Sequence, residues 1–210
     1  MEFEKFSKIA RYSRDCVITE KIDGTNAQIC ITDEGDFLTG SRTRWITPED
    51  DNYGFSRWAN ENKEELLKLG KGNHFGEWWG QGIQREYGMD KKVFSLFNTH
   101  RWAKVGKELK EYKSQDPKQP SKFQEYAPSC CRVVPVIHEG LFCDANIQYC
   151  LNMLVSHGSY AADIKDGRSF KNPEGVVIFH TAQGYLFKKT IIGDEKPKKS
   201  REWIYLMKGA

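Results

Sequence analysis

No stretch of this sequence stays apolar for anything near the roughly 20 residues that a membrane-spanning helix requires. The opening residues, MEFEKFSKIARYSRD, are charged and lack the apolar centre of a secretion signal, which points to a cytoplasmic protein. Six cysteines are present, at positions 16, 30, 130, 131, 143 and 150, but they form no CxxC and no Cys/His set at zinc-ligand spacing. Reduced thiols packed as small apolar residues are therefore expected. A large excess of charge is missing too. Lys and Arg number 32 against 29 Asp and Glu, a net charge of +3, too small by itself to demand a nucleic-acid partner. No internal repeat and no linker interrupts the 210 residues, of which 39% are hydrophobic. One domain over residues 1–210 is expected, with enough apolar material for a core.

The charge that is present is uneven. The segment KKTIIGDEKPKKSREW carries Lys188, Lys189, Lys196, Lys198, Lys199 and Arg201. A solvated tail is the simpler reading, and a patch for phosphate backbones is the alternative.

Strand signals dominate the first part. CVITE, AQICIT and FLTGS are short and rich in β-branched or apolar residues, with the turn residues DEGD between the second and third. Ala27, Ile29 and Ile31 alternate onto one face of their strand. A helix is predicted over GFSRWANENKEELLKLG, with Phe55, Trp58, Ala59, Leu66 and Leu69 on its apolar side and Gly70 ending it. HFGEWWG, KVFSLFN and VVPVI read as strands, and YKSQDPKQPSKFQ as a polar loop. A second helix is predicted over NIQYCLNMLVSHG, its apolar face made of Ile147, Leu151, Leu154 and Val155. A hairpin closes the pattern: EGVVIFH, the turn TAQG, then YLFKKTII. The sum is an α+β fold of mostly antiparallel sheets flanked by helices.

Several charged residues sit where apolar ones are expected. Lys21 sits where the strand CVITE ends, and Gly24 follows three residues later. A lysine amine attacks only when neutral, and its ordinary pKa is about 10.4. A nucleophilic lysine therefore needs partial burial or nearby cations, whereas a surface lysine beside a turn needs neither. Glu77 lies among glycines and aromatics in FGEWWGQGIQREYG, Glu174 opens the apolar strand EGVVIFH, and Lys188 and Lys189 lie within YLFKKT. Arg42 and Arg44 follow a strand in GSRTRW. Charge in buried strands is costly and asks for a functional reason.

Taken together these segments resemble the covalent nucleotidyltransferases, the ATP-dependent RNA and DNA ligases and the RNA capping enzymes. Their hallmark KxDG is present as Lys21-Ile22-Asp23-Gly24. The further signatures follow in order: Ser41-Arg42, Gly76-Glu77, Phe94 to Phe97, Glu174-Gly175-Val176-Val177, and Lys188. EKIDGTN, GEWWGQGIQ and VVPVIHEG resemble the ATP-dependent RNA ligases that seal 3′-OH and 5′-phosphate ends.

The resemblance implies an ATP-grasp-like nucleotidyltransferase domain that uses ATP and Mg²⁺ or Mn²⁺. It implies RNA partners bearing 3′-OH and 5′-phosphate ends, nicked duplexes included. Lys21 would take AMP from ATP. Glu77 would bind the ribose and Phe97 would stack on adenine, with Phe94 the lesser choice because it falls on the opposite strand face. Arg42 would bind phosphate, and Glu174 would help place the metal. Asp23 and Asn26 would orient groups around the nucleotide, and the backbone beside Glu20 and Ile22 would read the adenine edge. Lys188 would contact the α-phosphate.

Two departures from the family pattern stand out. The family has Lys-x-Lys where this chain has Lys188-Lys189, and a regular strand sends two adjacent residues to opposite faces. Only a bulge would bring Lys189 in as well. About twenty residues follow the last signature, too few for an OB-fold, so a bare adenylyltransferase domain is expected. Competing readings are a DNA ligase, a GTP-using capping guanylyltransferase, and a nucleotide- or RNA-binding module without catalysis.

Overall fold

The computed structural model describes residues 3–7, 9, 14–102, 127–165 and 167–193. Both the polar loop read in residues 112–124 and the basic residues Lys196, Lys198, Lys199 and Arg201 lie outside the described residues.

Among the described residues ten strands form two sheets. The strands are β1 (Asp15–Lys21), β2 (Thr25–Ile31), β3 (Phe37–Ser41), β4 (Trp45–Ile46), β5 (Gly72–Gly80), β6 (Lys92–Leu96), β7 (Cys131–Val133), β8 (Val136–Leu141), β9 (Gly175–His180) and β10 (Tyr185–Thr190). The larger sheet has the order β4-β3-β2-β5-β6-β7 and the smaller one β10-β9-β1-β8. All pairs are antiparallel except β6 with β7. This is the α+β, mostly antiparallel architecture expected from the sequence.

Alternation along the strands decides what each face buries. On the larger sheet Ala27, Ile29, Ile31, Trp78, Phe94 and Leu96 point to one side. There they meet Phe55, Ala59, Leu66 and Leu69 from the α1 (Phe55–Glu61), α2 (Lys63–Leu66) and 3-10 (Leu67–Leu69) segment. The single helix predicted here is broken at Asn62, whose side chain donates to the Trp58 carbonyl at 2.8 Å. An amide that bonds its own helix's carbonyl competes with the regular ladder. A short helix, α3 (Thr99–Trp102), adds Trp102 to the same core.

The smaller sheet buries Cys16, Ile18, Ile137, Val176 and Ile178 against α4 (Asp144–His157). That helix uses Ile147, Cys150, Leu151 and Leu154. Val155, expected on the apolar face, is 57% exposed, and Cys150 takes its place in the core. None of the six cysteines forms a disulfide.

Among the described residues the chain passes between the sheets at two points. One is residues 22–24, between β1 and β2, which do not pair with each other. The other is Val134-Pro135, between β7 and β8. VVPVI, expected as one strand, is therefore two half-strands in different sheets. Pro135 has no N–H for a ladder, so the break falls there. A third cluster (Ile22, Trp79, Tyr87, Met89, Val93, Val134, Ala161 and Ala162) packs around both crossings. No helix among the described residues is long and apolar enough to cross a membrane.

Candidate active site

Lys21 is the last residue of β1, at the first crossing. It pairs with Gly175, the first residue of β9. Glu174 stands just outside that pair, and Lys21 Nζ donates to Glu174 Oε2 at 2.5 Å. The two side chains are 23% and 16% exposed. A ligand can reach such a pair, while the thinned solvent strengthens its electrostatics.

Gly24 lets the crossing lie flat on β5. A Cβ at this position would stand 2.6 Å from the Trp78 carbonyl oxygen and 2.7 Å from Trp79 Cβ. The close approach hands the Gly24 N–H to Glu77 Oε1 at 3.1 Å. Asn26, the register partner of Glu77, donates its Nδ2 to Glu77 Oε2 at 3.0 Å. Burial pushes the Glu77 carboxyl up to about 7, although the Lys21 charge and these two donors pull it down. Glu77, Asn26 and Lys21 are thereby drawn together from three different strands.

The same sheet face continues from Glu77 to its partner Ser95 on β6. Phe97 lies two residues on, 41% exposed, with its N–H on the Phe75 carbonyl at 2.9 Å. Phe94 has the opposite parity and is wholly buried, 5.0 Å centroid to centroid from Phe55. Only Phe97 of the two offers a ring to a ligand. Ser41 pairs with Ala27, so Arg42 follows at the level of Asn26, exposed to solvent. Its neighbour Arg44 is engaged by Asp50, with Nη2 on Oδ1 at 3.0 Å.

Glu20 points away from Lys21, by strand alternation. Its side chain is 1% exposed and accepts from Ser159 Oγ at 2.6 Å, Tyr160 N at 2.7 Å and Ala161 N at 3.0 Å. Burial pushes this carboxyl up to about 7 against those donors. Ile22 is buried in the third cluster. The roles expected of Glu20 and Ile22 belong to their backbone, and their side chains are structural. The Glu20 N–H itself is held by the Pro135 carbonyl at 2.9 Å.

β10 pairs with β9 without any shift of register from Tyr185 to Thr190, so there is no bulge. Lys188 stands opposite Val177, which stands opposite Thr19, two residues before Lys21 on the same face. Lys189 stands opposite Val176 and Glu20, on the face covered by α4. Lys189, expected at the nucleotide if the strand bulged, thus falls on the other side of the sheet. Alternation in a regular strand is the reason.

Two neighbours of the site escaped the sequence reading. Arg85 Nε donates to Asp23 Oδ2 at 2.9 Å, and Tyr87 Oη accepts the Asp23 N–H at 2.9 Å. Burial raises the Tyr87 phenol well above its ordinary value, so it stays protonated. The only sequence signal for either residue is a charged and aromatic run, QREY, between the glycines of GQGIQREYG.

Among the described residues no three His, Cys, Asp or Glu side chains gather in a way that could hold a metal ion. A single carboxylate such as Glu174, already paired with Lys21, would hold Mg²⁺ or Mn²⁺ only where phosphate and water complete the shell. Mg²⁺ commonly binds in that manner.

A family model described as RNA ligase matches residues 14–190. By fold the chain is similar to solved RNA ligases of Naegleria gruberi. One is a mutant with AMP and Mn, 17% identical with a TM-score of 0.51, where the match covers 84% of this chain and 49% of that one. A second mutant, with ATP and Mn, is 17% identical with a TM-score of 0.51, covering 84% and 50%. The enzyme with PPi is 19% identical with a TM-score of 0.50, covering 84% and 49%. The chain spans about half the length of these ligases. At such identities the likeness speaks for the fold. No curated protein matches the sequence.

Proposed function

We propose, from the premise that the chain belongs to the RNA ligase family, that it joins RNA 3′-OH and 5′-phosphate ends through an AMP carried on Lys21. The observation that carries the reading is the Lys21–Glu174 pair at the sheet crossing, with Glu77 and Asn26 beside it.

In the first step Lys21 Nζ attacks the α-phosphorus of ATP. An N–P bond forms, the P–O bond to pyrophosphate breaks, and pyrophosphate leaves. The amine must be neutral to attack. Glu174, in contact at 2.5 Å, would receive its proton. AMP then passes to a 5′-phosphate, and a 3′-OH finally attacks that activated end and releases AMP. Such in-line transfers depend on positioning and charge neutralisation rather than on elaborate covalent chemistry.

Glu77 accepts from the ribose, Phe97 stacks on adenine and Arg42 takes a phosphate. Lys188, on the Lys21 face, neutralises charge at the α-phosphate. Asp23 and Asn26 hold the crossing and Glu77 in place. Glu174 would hold Mg²⁺ or Mn²⁺, which when bound supplies neutralisation of phosphate charge. The Naegleria ligases solved with ATP, AMP and Mn support both requirements.

The test is a nicked RNA duplex incubated with the protein, ATP and Mg²⁺. Sealed strand and a transient adenylylated 5′ end are expected. Labelling of the protein by GTP and not ATP would replace this reading with a capping enzyme. Sealing of DNA but not RNA would make it a DNA ligase. Binding of ATP or RNA without any transfer would make it a binding module.

A further inference from the structure

We propose that Arg85 is a positioning residue that sets the spacing of Lys21 and Glu174. The proposal rests on the reading of Lys21 as the nucleophile. Pairing between β1 and β9 ends at Lys21 and Gly175. Beyond that point the two chains part, β1 turning into the crossing and Glu174 leading back into residues 172–173. The Ile191 N–H still holds the Glu174 carbonyl at 2.9 Å from the β10 side, but no β1–β9 pair reaches Glu174 to set its distance from Lys21.

Arg85 ties the parting chains together. Its Nε donates to Asp23 Oδ2 at 2.9 Å on the Lys21 side. Its Nη1 donates to the Asn172 carbonyl at 3.0 Å, to Asn172 Oδ1 at 3.0 Å and to the Pro173 carbonyl at 3.3 Å on the Glu174 side. The guanidinium therefore spans from two residues after Lys21 to the residue before Glu174. A planar fork with several fixed donors suits this task, and a lysine, with one rotating ammonium, does not.

The loop that presents Arg85 is itself held under strain. Gln84, Glu86 and Tyr87 have φ of 48°, 55° and 52°. Non-glycine residues are disfavoured in this left-handed region, because Cβ crowds the following carbonyl oxygen. Short turns lock the loop: Glu86 N–H to the Ile83 carbonyl at 2.9 Å, and Met89 N–H to the Glu86 carbonyl at 3.0 Å. Tyr87, from the same loop, accepts the Asp23 N–H and packs at 4.7 Å from the Phe170 ring. Three strained residues flank the one side chain that bridges both halves of the pair. Strain of this kind persists where the surroundings over-determine it, commonly at functional sites.

The experiment compares wild type with Arg85→Lys and Arg85→Gln, with thermal unfolding as the control for folding. Two readouts are taken. The first is the rate of lysyl-AMP formation at saturating ATP, with the ATP concentration for half-maximal rate. The second needs no activity: acetic anhydride is reacted with the protein without nucleotide, and acylation of Lys21 is followed by peptide mass spectrometry. A tether predicts about a tenfold to hundredfold slower label in Arg85→Lys, with half-saturating ATP nearly unchanged. It also predicts faster acylation of Lys21, while the other lysines keep their wild-type rates.

Wild-type rates of both label and acylation in folded Arg85→Lys would overturn the tether. So would a raised half-saturating ATP with unchanged acylation, which would make Arg85 a nucleotide contact. If Arg85→Gln unfolds, Asp23→Asn removes the ion pair at similar volume and must show the same acylation increase. Wild-type protein that takes no label sinks the nucleophile reading, whereas the acylation comparison still decides the tether.

Discussion

Lys21 and Glu174 lie 153 residues apart in the chain and meet at 2.5 Å, across the point where two β-sheets exchange the polypeptide. The pairing of β1 with β9 brings them to one level, at the crossing formed by residues 22–24, and both side chains stay partly exposed. Lys21 closes β1 and Glu174 immediately precedes β9, so strand pairing sets the two side chains beside each other, and placement next to regular elements favours precise positioning.

The two phenylalanines of KVFSLF separate packing from binding. Phe94→Ala removes a fully buried ring from the cluster with Phe55 and Trp58. It should cost about 3–5 kcal/mol of stability. Phe97→Ala removes a ring that is 41% exposed. It should leave the unfolding midpoint nearly unchanged and raise the ATP concentration needed for label. Denaturant unfolding and ATP titration check both halves. A normal ATP requirement in Phe97→Ala would remove Phe97 from the adenine site.

The lysines of β10 should be unequal. Lys188 shares the face of Lys21, and Lys189 faces the α4 side of the sheet. Lys188→Ala should slow lysyl-AMP formation by about a hundredfold, the scale for losing one charge stabiliser. Lys189→Ala should leave the single-turnover rate close to wild type. Equal losses from both would mean that the strand bulges when nucleotide binds.

Glu77 should write itself into the pH dependence of stability. Its carboxyl is raised from 4.5 to about 7 in the folded protein by burial. The folded state therefore holds a proton that the unfolded state has released between those two values. Stability contributed by that proton is complete below about pH 4.5 and is lost as pH rises toward about 7. Between those values one proton changes stability by at most about 1.4 kcal/mol per pH unit. Glu77→Gln should flatten this decline, and urea unfolding at several pH values reads it. An unchanged slope in Glu77→Gln would assign the decline to other groups, Glu20 first among them, since burial raises it to about the same value.

Much of this arrangement is legible in the sequence because it follows local periodicity. Ala27, Ile29 and Ile31 mark the inner face of β2, and Ile147, Leu151 and Leu154 mark that of α4. The order of the charged signatures is local too, and so is the alternation that separates Lys188 from Lys189. What stays hidden is long-range. Nothing near KIDG says that the strands on either side of it belong to different sheets. VVPVI looks like one strand, and Pro135 marks a break without saying that the chain changes sheets there. Arg85 and Tyr87 reach Asp23 from 62 and 64 residues away, from a loop whose backbone no propensity anticipates. Val155 matches the helical spacing yet faces solvent, because α4 buries a narrower stripe in which Cys150 takes part.

The most direct measurement is intact-protein and peptide mass spectrometry after incubation with ATP and Mg²⁺, for wild type and Lys21→Ala. Wild type should gain the mass of one AMP on the peptide that contains Lys21, released by acid and discharged by pyrophosphate. Folded Lys21→Ala should gain nothing. AMP retained by that variant, or found on another residue of the wild type, would contradict the assignment of Lys21 as the nucleophile.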